Sequence, residues 1–304
     1  MAVGLFAVLV FVVVLFLYLH IAHQRRAVED TEINILDVQT SAILDEVCEL
    51  RVPYVFERDV SSLCNAGLQR KLLLNADSSE FVKAYDLSGT ELVSSMKPWS
   101  TFCDSIKKQT GICISDRIQW PLDQWKVEPS ISNYERFWKP YMNVNGNRFL
   151  TIGSEGSRTL YRSSSHGRQF LTCLDGVVKI MLLSPGNGNR GDSSEDEEGG
   201  RVYQRHVSHT TDQSLVVTVR RGQVVCVPPY WWYSIQIGGG GLLLETKYRS
   251  LANVVAHVDT LATVLLKQLN TRKRIGGPSA LDDSNRLSDA IPTESVLGGV
   301  DDVK

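Results

Sequence analysis

The chain opens on an almost unbroken apolar run, Ala2 to Ala22 (AVGLFAVLVFVVVLFLYLHIA), and turns polar at His23. About twenty helical residues at about 1.5 Å rise each cover about 30 Å, the hydrocarbon thickness of a bilayer. A helix at the edge of a soluble core would carry a polar stripe, and this run carries none. A cleaved signal peptide would show a basic residue ahead of a shorter run and a small-x-small cleavage site after it; the sequence has neither. The pattern predicts an uncleaved transmembrane anchor over 1–23, with the lipid bilayer as its partner. Tyr18, His20 and His23 fall at the level of the headgroups. Arg25 and Arg26 follow, and no basic residue stands on the other flank. The positive-inside rule then puts the bulk of a single-pass membrane protein in the cytosol.

Beyond the anchor the pattern changes twice. Residues 24–40 are polar and read as a juxtamembrane linker. Ser41–Leu50 has apolar residues at Ile43, Leu44, Val47 and Leu50, a helical spacing, and Arg51–Phe56 reads as a short strand. Trp99–Lys108 is a second helix, with Pro98 at its opening and Gly111 just past its end. From Arg148 the period becomes that of strands. They are Arg148–Ile152, Arg158–Arg162, Gln169–Leu174, Val177–Leu183, Ser214–Arg220, Gln223–Val227, Trp232–Ile237 and Leu242–Lys247, parted by Gly, Pro, Asn and Asp turns. Serial strands without helices between them predict an antiparallel barrel or sandwich over 148–249, with 41–147 as its mixed N-terminal part. The Gly-rich acidic stretch at 186–200 is expected to be a disordered loop. Ser250–Asn270 is an amphipathic helix, placed over 250–271, with Leu251, Val254, Val255, Val258, Leu261, Leu265 and Leu269 on one face. That face either packs on the barrel or forms a homodimer surface through 251–269. Residues 272–304 are a polar tail expected to be disordered.

Composition narrows the classes. The chain has 304 residues, 43% hydrophobic and 22% charged, with a net charge of −2. That balance gives no reason to expect nucleic acid as a partner. Six scattered cysteines, Cys48, Cys64, Cys103, Cys113, Cys173 and Cys226, form no CxxC pair, so they signal neither a zinc site nor a disulfide framework. The absence of any Asn-x-Ser/Thr sequon agrees with a cytosolic location. Ser193 and Ser194 precede an acidic run, and Arg190-Gly191-Asp192 matches an adhesion tripeptide; a solvated loop accounts for both.

The chemistry lies in the spacing of glycines and prolines around empty positions. A metal-binding cupin hairpin is written G-x5-P-x4-H-x3-N. Gly222 and Pro228 keep that spacing, but Tyr233 stands for the histidine and Ile237 for the asparagine. The first cupin motif is written G-x5-H-x-H-x4-E-x6-G. Gly156 and Gly176 keep its ends, and Arg162, Ser164 and Gln169 stand for its ligands. More closely, Phe149 to Pro185 resembles the jumonji-C and cupin-8 domains, the asparaginyl-hydroxylase branch above all. Ile152-Gly153, Gly156, Gly176, Leu183 to Pro185 and Pro228-Pro-Tyr-Trp231-Trp232 match its pattern. The resemblance covers about half the chain. It implies a mainly β fold with flanking helices, a cupin-type double-stranded β-helix or jelly roll, joined here to one transmembrane helix.

The same resemblance shows what is missing. Counted from Gly156, the iron-binding His-x-Asp pair falls at Arg162 and Ser164. Counted from Gly176, it falls at Ser163 and Ser165. The distal histidine is Tyr233, and the lysine that grips 2-oxoglutarate falls at Val178 or one position off, at Lys179. Non-haem iron needs two imidazoles and a carboxylate on one face, and no register restores them. His166, His206 and His209 are the remaining histidines near these positions. Gln169, Tyr233 and Lys247 either line a polar pocket or fill the barrel as a hydrogen-bonded set. Trp231 and Trp232 should point to opposite faces, one into the barrel and one outward under a covering helix.

An anchor followed by a ligand-less domain ending in PPYWWYSI resembles membrane-anchored cupin-like proteins of large DNA viruses of algae and protists. Three functions follow as expectations. The first is a catalytically degenerate binding or scaffold module with an unidentified protein partner and no cofactor. The second is an Fe(II)- and 2-oxoglutarate-dependent hydroxylase with non-standard ligands. The third is a structural membrane protein of a large DNA virus.

Overall fold

The computed structural model describes residues 2–30, 32–60, 80–86, 93–108, 113–118, 136–187, 193–195, 201–203 and 214–275. His206, His209, Trp120, Trp125, Cys64, the tripeptide 190–192 and the tail beyond 275 lie outside them.

Helix α1 (Ala2–Arg25) takes in the whole apolar run. From Gly4 to Arg25 it is long and apolar enough to cross a membrane, with a mean hydropathy of 2.9 and none of that window buried. Helix α2 (Ser41–Leu50) has the expected bounds. Thr40 caps its start by accepting from the Ile43 N–H. Arg51 ends it in the left-handed region (φ 58°), where its own N–H reaches the Cys48 carbonyl. Helix α3 (Trp99–Lys108) buries Trp99, Phe102, Cys103 and Ile106 along one stripe.

The described residues hold fifteen strands: β1 (Asn34–Ile35), β2 (Tyr54–Glu57), β3 (Phe81–Asp86), β4 (Val93–Pro98), β5 (Cys113–Ile118), β6 (Asn143–Gly153), β7 (Arg162–Ser163), β8 (Arg168–Asp175), β9 (Val177–Leu183), β10 (Ser193–Glu195), β11 (Arg201–Tyr203), β12 (Leu215–Arg220), β13 (Gln223–Cys226), β14 (Trp232–Ile237) and β15 (Leu242–Ser250). They form two sheets. One has the order β1-β2-β13-β8-β15-β6-β5-β3-β4, the other β10-β11-β7-β14-β9-β12. The protein is therefore mainly β with flanking helices.

The sheets share a core. Leu171, Cys173, Val225 and Leu243 of the larger sheet meet Val178, Ile180, Leu182, Tyr233, Ile235 and Ile237 of the smaller one. The larger sheet is covered on its other face as well. Helix α3 packs there on Leu150, Ile152, Leu242 and Leu244, and α2 packs with Phe137, Trp138, Phe170 and Tyr248. Burial on both faces explains why β8 and β15 are buried almost end to end.

Four expectations meet a different outcome. The segment 24–40 is no free linker but is strapped to the domain. Arg51 Nη1 donates to the carbonyls of Gln24 (3.1 Å) and Arg26 (2.7 Å). Trp231 Nε1 donates to the Val28 carbonyl (3.0 Å), and β1 pairs in parallel with β2. These bonds reach main-chain atoms, which no side-chain pattern reports. In the acidic stretch, Ser193–Glu195 forms β10, paired with β11, which in turn pairs with β7. Ladder bonds are backbone bonds and do not need an apolar sequence. The stretch 158–162 is not a continuous strand. It follows β14 through single bonds, Thr159 N–H to Ile235 O and Ile237 N–H to Ser157 O, until β7 begins.

The fourth concerns the helix expected over 250–271. It breaks at His257 into α4 (Leu251–Ala256) and α5 (Val258–Ile275). Its inward side mixes two polar residues with one apolar: Asn253, His257 and Ala256 are buried, while Leu251, Val255 and Val258 are exposed. Of the same stripe, Val254 and Leu261 are half-buried. Contacts divide the chain at Leu261, so the part of α5 from Ala262 onward is a unit of its own. There Leu265, Leu266 and Leu269 are exposed too.

The β8–β9 turn pivots on Gly176 (φ 62°), and a Cβ at that position would overlap the carbonyl group of Gly240. Gly176→Ala should therefore cost about 1–3 kcal/mol of stability from the left-handed backbone alone, and more from the overlap. Urea unfolding of the detergent-solubilised chain measures it.

Candidate functional site

Two of the residues singled out in the sequence, Arg162 and Tyr233, lie side by side in the smaller sheet. Tyr233 on β14 and Arg162 on β7 are direct cross-strand partners. Both are buried, and both point toward the larger sheet, because their bonding partners sit on it. The Arg162 guanidinium is ion-paired with Asp116 of β5 and donates to the Tyr85 hydroxyl of β3 (3.2 Å). The Tyr233 hydroxyl donates to Glu245 Oε1 of β15 (2.5 Å).

Glu245 organises the rest. The same Oε1 atom accepts from Gln169 Nε2 (2.7 Å) and lies 3.3 Å from Lys247 Nζ. Gln169, Tyr233, Glu245 and Lys247 are each no more than 2% exposed. Strand geometry creates the cluster: Leu243, Glu245 and Lys247 alternate onto one face of β15, and Gln169 is the cross-strand partner of Lys247. Charges this deeply buried persist only when paired and hydrogen-bonded. Here two cations, Arg162 and Lys247, face two carboxylates, Asp116 and Glu245. Gln169, Tyr233 and Lys247 thus fill the interior together with Glu245.

The serines lie beside this cluster. Ser163 partners both Arg201 and Trp232 across β7. Ser164 Oγ is 2.6 Å from His166 Nδ1, and the Ser164 carbonyl accepts from the Tyr230 N–H. The Ser165 carbonyl accepts from Asn253 Nδ2 (3.1 Å), and its hydroxyl is 3.5 Å from Arg249 Nη2. Lys179 is exposed and Val178 fully buried, so the position expected to grip oxoglutarate offers no ammonium to the interior.

The motif residues act as corners. Gly156 and Gly222 adopt positive φ, and the Gly222 N–H is held by the Cys173 carbonyl. Pro185 starts a short 3-10 turn after β9. The Pro228 carbonyl accepts from the Trp231 N–H, closing a turn whose Tyr230 sits at φ 70°. Trp231 enters the shared core, as expected of one of the pair. Trp232 faces outward and is buried by Tyr161, Met181 and Leu183, which are not helical residues.

Tyr230 is held in its left-handed conformation by His257. The tyrosine hydroxyl is 2.5 Å from His257 Nε2, and His257 Nδ1 is 2.8 Å from the Asn253 carbonyl. Burial keeps His257 below the usual histidine pKa.

A second cluster lies under α2. Cys48 Sγ is 3.2 Å from the Tyr54 hydroxyl. The hydrogen bond from Cys226 is the main influence holding the Cys48 thiol below its usual range, while burial pushes Cys226 and Tyr54 up. Cys48 borders a cleft of about 500 Å³ lined by His20 and Gln24 of α1, Arg51, Tyr141, Met142 and Arg168 among others.

The donor set does not fit iron. A facial triad presents two neutral imidazoles and a carboxylate. Arg162, Ser163, Ser164, Ser165 and Tyr233 offer a guanidinium, serine hydroxyls and a phenol already donating to Glu245. Among the described residues, no group of three or more His, Cys, Asp or Glu is placed to hold a metal. Sequence reading missed Glu245 and Asp116. The available signal was a charged residue two positions from an inward apolar one, as in Leu243/Glu245 and Ile114/Asp116. No protein-family model matches this chain, and no curated protein matches it.

Two outcomes test this account. Glu245→Leu leaves the Lys247 ammonium buried without its carboxylate and should cost about 3–5 kcal/mol. Adding Lys247→Met should recover part of that loss, and a double-mutant cycle by urea unfolding reads the coupling. Stability should also depend on pH through His257. Its folded pKa lies below its unfolded value near 6.5, so the unfolded chain binds the extra proton first as pH falls. The contribution is therefore fully present above about pH 6.5 and is lost on acidification toward the folded pKa. His257→Gln should flatten this part of the stability profile.

Proposed function

We propose that this chain is a single-pass membrane protein whose cytosolic, cupin-like β domain is catalytically degenerate and works as a binding or scaffold module. One observation carries the reading. The corner glycines and prolines of a metal-binding barrel keep their spacing, while Arg162–Asp116 and the Glu245 cluster take up the ligand positions with their own charges already matched. A hydroxylase needs open coordination sites and a cation free to hold oxoglutarate. Here Arg162 faces Asp116, and Tyr233, Gln169 and Lys247 all face Glu245. The apolar helix α1, followed by Arg25 and Arg26, supports the anchor and its orientation. The binding partner is a protein met at that membrane.

Purification of the full chain in detergent, without air or chelator, followed by elemental analysis and calorimetric titration of 2-oxoglutarate, tests the reading. It expects iron well below one equivalent and no heat of oxoglutarate binding. Near-stoichiometric iron together with oxoglutarate binding would establish the hydroxylase reading instead. Orientation is tested separately in sealed vesicles. Externally added protease should leave the β domain intact, and its loss would reverse the topology.

A further inference from the structure

We infer that the domain lies against the bilayer through an apolar face around the root of α1, made by Leu50, Tyr141, Met142, Leu251, Val255 and Val258, and that the occupant of this face is phospholipid. The inference rests on α1 being a membrane anchor, as proposed above.

The first argument is location. Each residue of the face is tied, directly or through a neighbour, to the last turn of α1. Leu50 precedes Arg51, whose guanidinium holds the carbonyls of Gln24 and Arg26. Tyr141 and Met142 line the same cleft as His20 and Gln24. The Leu251 N–H donates to the Met142 carbonyl (2.9 Å). Val255 adjoins Ala256, whose carbonyl accepts from Arg25 Nε (2.7 Å), and Val258 adjoins Asp259, which also pairs with Arg25 (2.7 Å). The apolar stretch of α1 ends at Ala22, so His20 to Arg25 stand at headgroup depth. Side chains that share a cleft or a bond with them stand near the same depth.

The second argument is exposure. Tyr141 is 87% exposed, Val258 63%, Leu50 60% and Met142 57%, with Leu251 and Val255 above 40%. Other large exposed apolar residues among the described parts of the β domain, such as Ile35, Phe81, Met96 and Val216, lie on β1, β3, β4 and β12. A grouped apolar face is unfavourable in water and marks an interaction surface. A tyrosine, a methionine and aliphatic residues suit the interfacial zone of a bilayer; Arg26, which follows α1, is exposed, and Asp45, Glu46 and Glu49 line the cleft at the edge of the face. The face is continuous with the anchor, whose partner is the bilayer, so lipid reaches it before any other molecule.

Photo-crosslinking of the full chain in phosphatidylcholine–phosphatidylserine nanodiscs tests this. p-Benzoylphenylalanine replaces one residue at a time: Tyr141, Leu251 or Val258 on the face, Met96 or Val216 elsewhere, and Val12 in the anchor. Intact-protein mass is read after irradiation. The expected result is a gain of one phospholipid mass at Val12, Tyr141, Leu251 and Val258, and none above background at Met96 and Val216. Adducts at Val12 with unmodified chain at the three face positions would overturn the inference and leave the anchor standing. So would crosslinks there to a second copy, which would make the face a homodimer surface. No adduct at Val12 would overturn the anchor reading and this inference with it. The crosslinker replaces only exposed side chains, so folding is expected to survive in each variant; unchanged urea midpoints check that.

Discussion

A single carboxylate oxygen, Glu245 Oε1, sets the terms for the interior of the two sheets. It gathers Tyr233 from the smaller sheet with Gln169 and Lys247 from the larger one. An unpaired charge at that depth would cost several kcal/mol, so the strands that carry these four residues are constrained in register as well as in packing. A slip of β15 by one residue would turn Glu245 and Lys247 outward and bring their neighbours in. The Arg162–Asp116 pair applies the same constraint between β7 and β5. The interior is therefore specified by matched charge where a metal-binding barrel would be specified by its metal.

Much of this was legible in the sequence. Helices α2 and α3 and strands β9 and β14 appear with the expected bounds, because each combines a clear period with a breaker at its end. Arg162 and Tyr233, cross-strand partners in the structure, were singled out in the sequence through the resemblance and its glycine and proline spacing, which left Arg162 and Ser163 as alternative registers. Glu245 and Asp116 were hidden for the opposite reason. Glu245 sits in β15, a strand buried along almost its whole length, where alternation fades, and Asp116 stands in a short polar run, Ser115-Asp116-Arg117, that carries no apolar period. The straps on 24–36 were invisible because they hold carbonyls, and a carbonyl carries no sequence signature.

The break at His257 joins these two themes. A continuous helix would have aimed one apolar stripe at one surface. The break instead turns polar Asn253 and His257 inward, where they hold the Ser165 carbonyl and the Tyr230 hydroxyl. Leu251, Val255 and Val258 are left outward. A helix that looks designed to pack on the barrel is thus used to lock the PPYWW corner, and its apolar side is released for another purpose.

The straps also have a mechanical meaning. Arg51 and Trp231 hold the end of α1 and the segment after it, and Arg25 of α1 itself reaches Ala256 and Asp259. With α1 in a bilayer, the anchor and the β domain then move as one lever. A thinner membrane that tilts α1 would swing both sheets through a similar angle, so membrane thickness would set how the β domain leans on the bilayer.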